Sequence, residues 1–389
     1  MTRQRRSHIP TIMLENRLKE DDGTTTTSYT YNGLDQLKTS TKEKGTAVEE
    51  VRQYDYDANG NQTDVKNTKT GENQTYVYDA ENRLSQVSVT KDGKTAMIQQ
   101  NIYNGEGQRI QKVDGDEMTN YYYQDGIAAY TTDADGNQNS QNLIGTEGNV
   151  LATERFKGDD TQYYLYNKDI QGSTTSLVKE DGSADATYQY TDYGETIIHG
   201  DDQAKNEVCY TGGIYDQSTG LYYLNARYYN PEDGRFMTED TYRGDTTKSE
   251  TGHLYVYCAN NPVNYVDPSG HFLVSTAVLV GVGVGGIVGA IAGSYKGRLV
   301  AKRLGYKGKK RNLFIATYGI KGAVVGAIIG VFAGYGIGVA MGASSSSGLA
   351  VKGVNSAIRR VASDQNKVRH IMQSKHEWTK VTKRISGSM

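Results

Sequence analysis

The chain has 389 residues, with 43 Lys and Arg against 45 Asp and Glu, 45 Gly, 31 Tyr, four Pro and two Cys. That length accommodates two or three domains and a sizeable core. The two cysteines, Cys209 and Cys258, exclude a disulfide framework or a cysteine-built zinc site as the organising device.

The near-neutral total conceals two opposed halves. Residues 271–389 carry 18 basic and 2 acidic side chains, whereas the first 270 carry 25 and 43. A part this basic seeks an anionic partner: nucleic acid, an anionic membrane or an acidic protein. Mutual solubility of two halves stored together is the plainer alternative.

The first 22 residues hold basic side chains but no apolar core of a secretory signal, so they read as an unstructured leader. From residue 23 to 194 a unit recurs: Tyr31 opens YNGLDQL, Tyr56 YDANGNQ, Tyr78 YDAENRL and Tyr103 YNGEGQRI. The intervals of 25, 22 and 25 residues fall in the range of repeat architectures. Alternating runs such as QTYVYD and LSQVSV predict strands, and the Asn-Gly, Asp-Gly and Glu-Gly pairs predict turns between them. The expected fold is therefore mainly β: one long antiparallel sheet, each unit burying its face on its neighbours. The repeated tyrosines are expected to pack across strands with their hydroxyls in water at the rim, in preference to stacking on sugar.

Residues 195–270 end in GLYYLNARYYNPEDGRF, a spacer, and NNPVNYVDPSG. With the YD-like units, these motifs resemble the Rhs/YD-repeat family and its repeat-associated core domain, over roughly residues 20–270. The resemblance implies a sheet spiralling into a shell, a core domain as its plug, and a variable toxin after the Asp-Pro-Ser-Gly motif. The repeats are too few to close a full shell alone, so upstream repeats of a longer carrier are an expected partner. The resemblance also implies that the core domain can cut its own chain after Gly270 by aspartyl-protease-like chemistry. The matching positions are Arg227, Asp240 and Asp267. Two departures stand out: Thr241 follows Asp240 where the family has Pro, and His271 stands where Leu often follows the motif. On the residues alone, the same carboxylates could simply cap turns and pair with Arg227.

From residue 271 to 343 the chain changes character. Phe272 to Tyr295 holds no charge, a basic stretch from Lys296 to Arg311 follows, and Gly322 to Ala343 is again uncharged. Glycine recurs at every fourth residue, at 281, 285, 289, 293 and 297, then from 322 to 342. On helices this makes flat stripes that let backbones approach, as membrane helices do. An apolar helical hairpin over 271–343 is expected, meeting the target-cell membrane through residues 272–343. Burial inside a container is the competing expectation.

Residues 344–389 form a basic tip behind a Ser-rich linker. Ser374 to Glu377 fits a capping box, so a helix is expected to begin at Lys375. His370, Lys375 and His376 make a plausible set for metal-independent RNA cleavage: two histidines move protons and the lysine holds charge on phosphorus. No cofactor or metal is expected, since Asp364 and Glu377 are the only acidic residues there. The run from His370 to Trp378 resembles the polymorphic toxin type 35 family, for which RNase activity has been proposed.

Together these features imply a secreted or wall-associated polymorphic toxin used in bacterial competition. Its substrate would be RNA, and an acidic immunity protein would neutralise it. A pore former acting through the glycine hairpin and a non-toxic wall protein are the competing readings.

Overall fold

The computed structural model describes residues 16–145, 149–158, 160–243, 253–276, 293–308, 310–312, 315–318 and 321. The chain divides into two units, Met1–Thr276 and Ala277–Met389.

Seventeen strands, from β1 (Lys19–Asp21) to β17 (Thr196–Gly200), make one sheet in the first unit. Each strand pairs antiparallel with its chain neighbour, as in β2 (Thr26–Tyr31) with β3 (Leu37–Lys44). The sheet is thus an uninterrupted meander, consistent with the expected fold class.

The reason for the repeat is visible at the turns. Asn32, Asp57, Asp79, Asn104, Asp133 and Asp169 each follow the last residue of a strand. The Oδ1 of each accepts the backbone N–H groups two and four residues on, as Asp57 does from Asn59 and Asn61, both at 2.9 Å. Asp79 repeats this with Glu81 and Arg83, and Asp169 with Gln171 and Ser173. A short acceptor side chain thereby replaces the ladder where the chain reverses. A seventh turn uses the Thr191 hydroxyl for Glu195 N–H. Just before six of these turns the pairing register slips by one residue, for example between Val77 and Tyr78.

The tyrosine hydroxyls differ from expectation. Tyr31, Tyr78, Tyr103, Tyr123 and Tyr190 donate to the backbone carbonyls of Arg17, Gln62, Leu84, Arg109 and Thr174 at 2.6–2.8 Å. They bond carbonyls rather than water because this face of the sheet is filled. A phenol shut off from solvent needs an internal acceptor.

The filling is the segment after β17. It carries four short strands: β18 (Ile214–Asp216), β19 (Leu221–Tyr223), β20 (Tyr228–Asn230) and β21 (Arg235–Phe236). Two clusters fuse it to the sheet. One joins Tyr164, Leu177 and Tyr188 to Tyr210, Tyr222, Tyr229 and Tyr257. The other joins Tyr29, Leu37, Tyr76 and Leu84 to Leu221, Tyr228 and Met237. Aromatic contacts run through it, with Tyr229 and Tyr257 stacked at 4.1 Å. Cys209 and Cys258 are buried, unpaired parts of this core.

Polar groups tie plug to shell as well. Arg109 and Asp216 are both fully buried, 2.5 Å apart, and Lys112 bridges Asp216 at 3.3 Å and Glu207 at 2.5 Å. Burial alone would push Asp216 up, but Arg109 and Lys112 outweigh it and hold its carboxyl below the usual range.

The leader expectation needs correcting for residues 16–22. Lys19–Asp21 is β1, and Arg17 is buried between the rings of Tyr29 and Tyr193, 4.6 and 4.4 Å from their centres. Arg17 also donates to Asp233 carbonyl at 2.8 Å. One guanidinium therefore links the first strands of the sheet to the turn before its last strand and to the plug. Its face satisfies π-systems while its edge satisfies oxygens, which explains its burial. The expected start of the core domain also shifts, because Thr196–Gly200 completes the sheet.

Near this link, burial raises Glu195 to about 7 and Asp233 to about 6. Both values lie above those of the unfolded chain, so the native state takes up these protons first. Stability is expected to rise as pH falls through about 7 and 6, and to level off only near the unfolded values of about 4. Urea midpoints of the full chain should be higher at about pH 5.5 than at about pH 8; a lower midpoint at 5.5 would count against these assignments.

In the second unit, residues 293–303 are helical. A Cβ on Gly297 would lie 2.8 Å from the Cβ of Tyr318 and 3.1 Å from the Cα of Ile315. Glycine is what lets these two helical segments approach so closely. No helix among the described residues is long and apolar enough to cross a membrane. Most of the apolar runs lie outside the described residues, as do the helix expected at Lys375 and the residues His370, Lys375 and His376.

Candidate active site at the Asp-Pro-Ser-Gly junction

The structure brings Arg227, Asp240 and Asp267 together. Arg227 lies in the loop between β19 and β20, whose Leu224 N–H bonds Arg227 carbonyl at 3.0 Å. The guanidinium sits 3.5 Å over the ring of Phe236. One of its nitrogens, Nη2, lies 2.7 Å from Asp240 Oδ2 and 3.9 Å from Asp267 Oδ2. Another, Nη1, donates to Leu254 carbonyl at 3.0 Å, and Nε donates to the carbonyl of Gly270. All three side chains are nearly buried. Burial is the main influence on Arg227, pulling it down to about 10 despite both carboxylates. It therefore remains cationic at neutral pH.

Asp267 also builds the turn. Its Oδ1 accepts N–H groups of Ser269, Gly270, His271 and Phe272 at 2.9–3.2 Å, and the Ser269 hydroxyl at 3.2 Å. Gly270 sits at φ 75°, and a Cβ there would meet Leu224 carbonyl oxygen at 2.6 Å. The motif's glycine is thus required twice, by conformation and by space. The 224–227 loop grips the motif further: Ala226 N–H bonds Ser269 carbonyl at 3.2 Å, and Asn225 bonds Pro268 carbonyl at 3.3 Å. These contacts hold the junction in one fixed turn.

Asp240 is engaged on both oxygens. Oδ2 meets Arg227, while Oδ1 accepts Tyr242 N–H at 2.9 Å and lies 2.9 Å from His271 Nδ1. The sequence marked His271 as a departure but gave no reason to join it to Asp240, 31 residues earlier. Two carboxylates can share a proton when their oxygens touch. Here one guanidinium nitrogen approaches both, at 2.7 and 3.9 Å.

Arg227 also lines a small cavity of about 10 Å³, with Arg83, Tyr103, Tyr223, Asn225 and Thr238. The cavity is just large enough for one water molecule. No cluster suited to a metal ion occurs among the described residues.

Comparison with known proteins agrees with this architecture. Residues 100–263 match the Teneurin YD-shell family model. The chain is 34% identical over 273 residues to the tRNA nuclease WapA of Bacillus subtilis strain 168, covering 65% of this chain and 11% of that protein. It is 32% identical over 274 residues to the tRNA3(Ser)-specific nuclease WapA of Bacillus spizizenii, with the same coverage. The chain thus spans about a tenth of the length of these relatives. Among solved structures, the TcdB2-TccC3-Cdc42 crystal structure aligns at 19% identity with a TM-score of 0.41, over 63% of this chain and 15% of that one. Tyrosine-ended strands and acid-capped turns recur along the sheet, the plug closes on Asp-Pro-Ser-Gly, and the family-model and WapA matches make this part of the chain similar to YD-repeat proteins.

Proposed function

We propose that the chain is the toxin-bearing end of an Rhs-type carrier, which frees a basic RNA-cleaving effector by cutting itself after Gly270. The observation that carries this reading is the Arg227 clamp. One guanidinium holds the Gly270 carbonyl and stands against Asp240 and Asp267, at the point where the chain turns from acidic to basic. A cation on a carbonyl oxygen polarises it and stabilises the oxyanion formed when water attacks. Two relatives are named as tRNA nucleases, which supports RNA as the effector's substrate. The excess of 18 basic over 2 acidic residues after Gly270 suits a polyanion, and equally an acidic immunity protein.

Within the effector, His370 and His376 would move protons and Lys375 would hold the phosphoryl charge. Secretion, use against competing bacteria and upstream repeats of a longer carrier complete the reading. The full chain incubated with total RNA is expected to cut it with or without EDTA. His370→Ala or His376→Ala should each lower the rate about a hundredfold or more. Cleavage that requires magnesium would defeat the two-histidine mechanism.

The close approach at Gly297 favours one second reading, a membrane-active glycine hairpin. Intact RNA beside a lethal phenotype that survives both histidine substitutions would select it.

A further inference from the structure

We infer that His271, oriented by Asp240, carries the proton that drives cleavage after Gly270, so that a residue of the released product operates its own release. The inference rests on the self-cleavage reading above.

The carboxylates leave this task open. Asp267 Oδ1 is taken up by four backbone N–H groups and one hydroxyl, and its Oδ2 faces Arg227. Asp240 has one oxygen on Arg227 and the other shared by Tyr242 N–H and His271. Both carboxylates are thus engaged by the turn and by the guanidinium, with Asp267 Oδ2 the less tightly held at 3.9 Å.

The imidazole offers a further base beside the junction. Its Nδ1 lies 2.9 Å from Asp240 Oδ1, which in the neutral ring selects the Nδ1–H tautomer and leaves a lone pair on Nε2. Nε2 has no partner among the described residues, and the side chain is 29% exposed, so water reaches it. The ring belongs to the residue just past the scissile carbonyl. It is fixed by the same Asp240–Arg227 pair that grips that carbonyl's oxygen. This is the logic of a carboxylate-oriented histidine base, with Arg227 supplying the oxyanion site.

In the step, water adds to the Gly270 carbonyl carbon as Nε2 takes one of its protons. The oxyanion forms against Arg227. The C–N bond to His271 then breaks, and the imidazolium returns its proton to the leaving backbone nitrogen. One water is consumed, and the products are a Gly270 carboxyl group and a His271 amine. The charged groups around the ring are Asp240 from the 238–242 segment, Arg227 from the β19–β20 loop and Asp267 from the turn. The ring of Phe272 is its aromatic neighbour, 6.1 Å away.

A base works only in its neutral form, so the wild-type rate should climb as pH rises. His271→Asn keeps an N–H donor for Asp240 but cannot titrate. In the full chain, followed by intact mass against time, it should cut about a hundredfold more slowly at neutral pH. It should also lose the climb with pH. His271→Gln should behave likewise, guarding against a folding defect in either variant. Wild-type cutting with the rate and pH climb unchanged in both variants overturns the role of His271 and leaves self-cleavage standing. A wild-type chain that stays whole at every pH overturns both.

Discussion

Arg227→Met is expected to abolish the self-cleavage proposed after Gly270 and leave the chain full length. The guanidinium donates to the Gly270 and Leu254 carbonyls and lies 2.7 and 3.9 Å from the Asp240 and Asp267 carboxylates. Loss of an oxyanion donor of this kind typically slows acyl chemistry by about a hundred- to a thousandfold. Methionine also leaves two nearly buried carboxylates facing each other without a cation, so some loss of stability should accompany it. Arg227→Lys separates the two effects. Lysine keeps a positive charge near Asp240 but cannot hold the Gly270 oxygen and both carboxylates in one planar fork. It should fold better than Met and still cut poorly. Intact mass measured over days, beside a thermal melt of each variant, is the check. Cutting by Arg227→Met at the wild-type rate would remove Arg227 from the mechanism.

The second large effect is expected at the plug. Asp216→Asn leaves Arg109 fully buried with its charge uncompensated, and deprives Lys112 of one of its partners. Breaking one side of a buried pair costs about 3–5 kcal/mol. The urea midpoint of the full chain should fall accordingly, whereas breaking the exposed Lys205–Glu117 pair should change nothing measurable. Asp216→Leu combined with Arg109→Met should recover much of the loss, because an apolar pair of similar volume avoids the desolvation cost. Acid tests the same contact with opposite sign to Glu195 and Asp233. A carboxyl held below its unfolded value contributes stability that is present above that value and is lost as pH falls through the folded one. The stability profile should therefore rise on mild acidification and collapse in stronger acid. An Asp216→Asn midpoint equal to wild type would show that the packing of the plug, not this pair, carries its attachment.

Much of the fold was legible because it depends on local chemistry. A tyrosine, an acid or amide, and a glycine, Asp or Asn at fixed spacing specify a bulge, a side-chain-capped turn and a left-handed residue, as at Gly60, Asp35 and Asn82. The period was harder to follow after Tyr103. At the later turns Thr132 and Lys168 stand in place of tyrosine, and Thr191 in place of the acid, although the backbone repeats the same turn. The eye follows the dipeptide, whereas the chain needs only an acceptor side chain. Arg227, Asp240 and Asp267 were legible through family resemblance, and the structure brings them together. The bond between His271 and Asp240 was not, because a contact between distant loops leaves no period in the sequence. The same holds for Arg109 with Asp216, and for Arg17, whose basic, polar neighbourhood resembles a leader until its two tyrosines are seen.

The uninterrupted meander also sets a timetable. Every strand pairs with the one made just before it, so the sheet can grow by short-range closures as the chain leaves the ribosome, the regime in which folding is fast. The plug contacts obey the opposite rule. Gln36 meets Tyr255 across 219 residues, and Arg109 meets Asp216 across 107. Such closures carry the larger entropic cost and can form only after the plug is synthesised. During synthesis the plug-facing side of the sheet, with its tyrosines, therefore stays open to water and to chaperones until the residues around Tyr222 and Tyr257 arrive. The basic segment after Gly270 emerges later still. Slow steps in refolding should accordingly trace to docking of the plug, and the half-made chain is the species most exposed to aggregation.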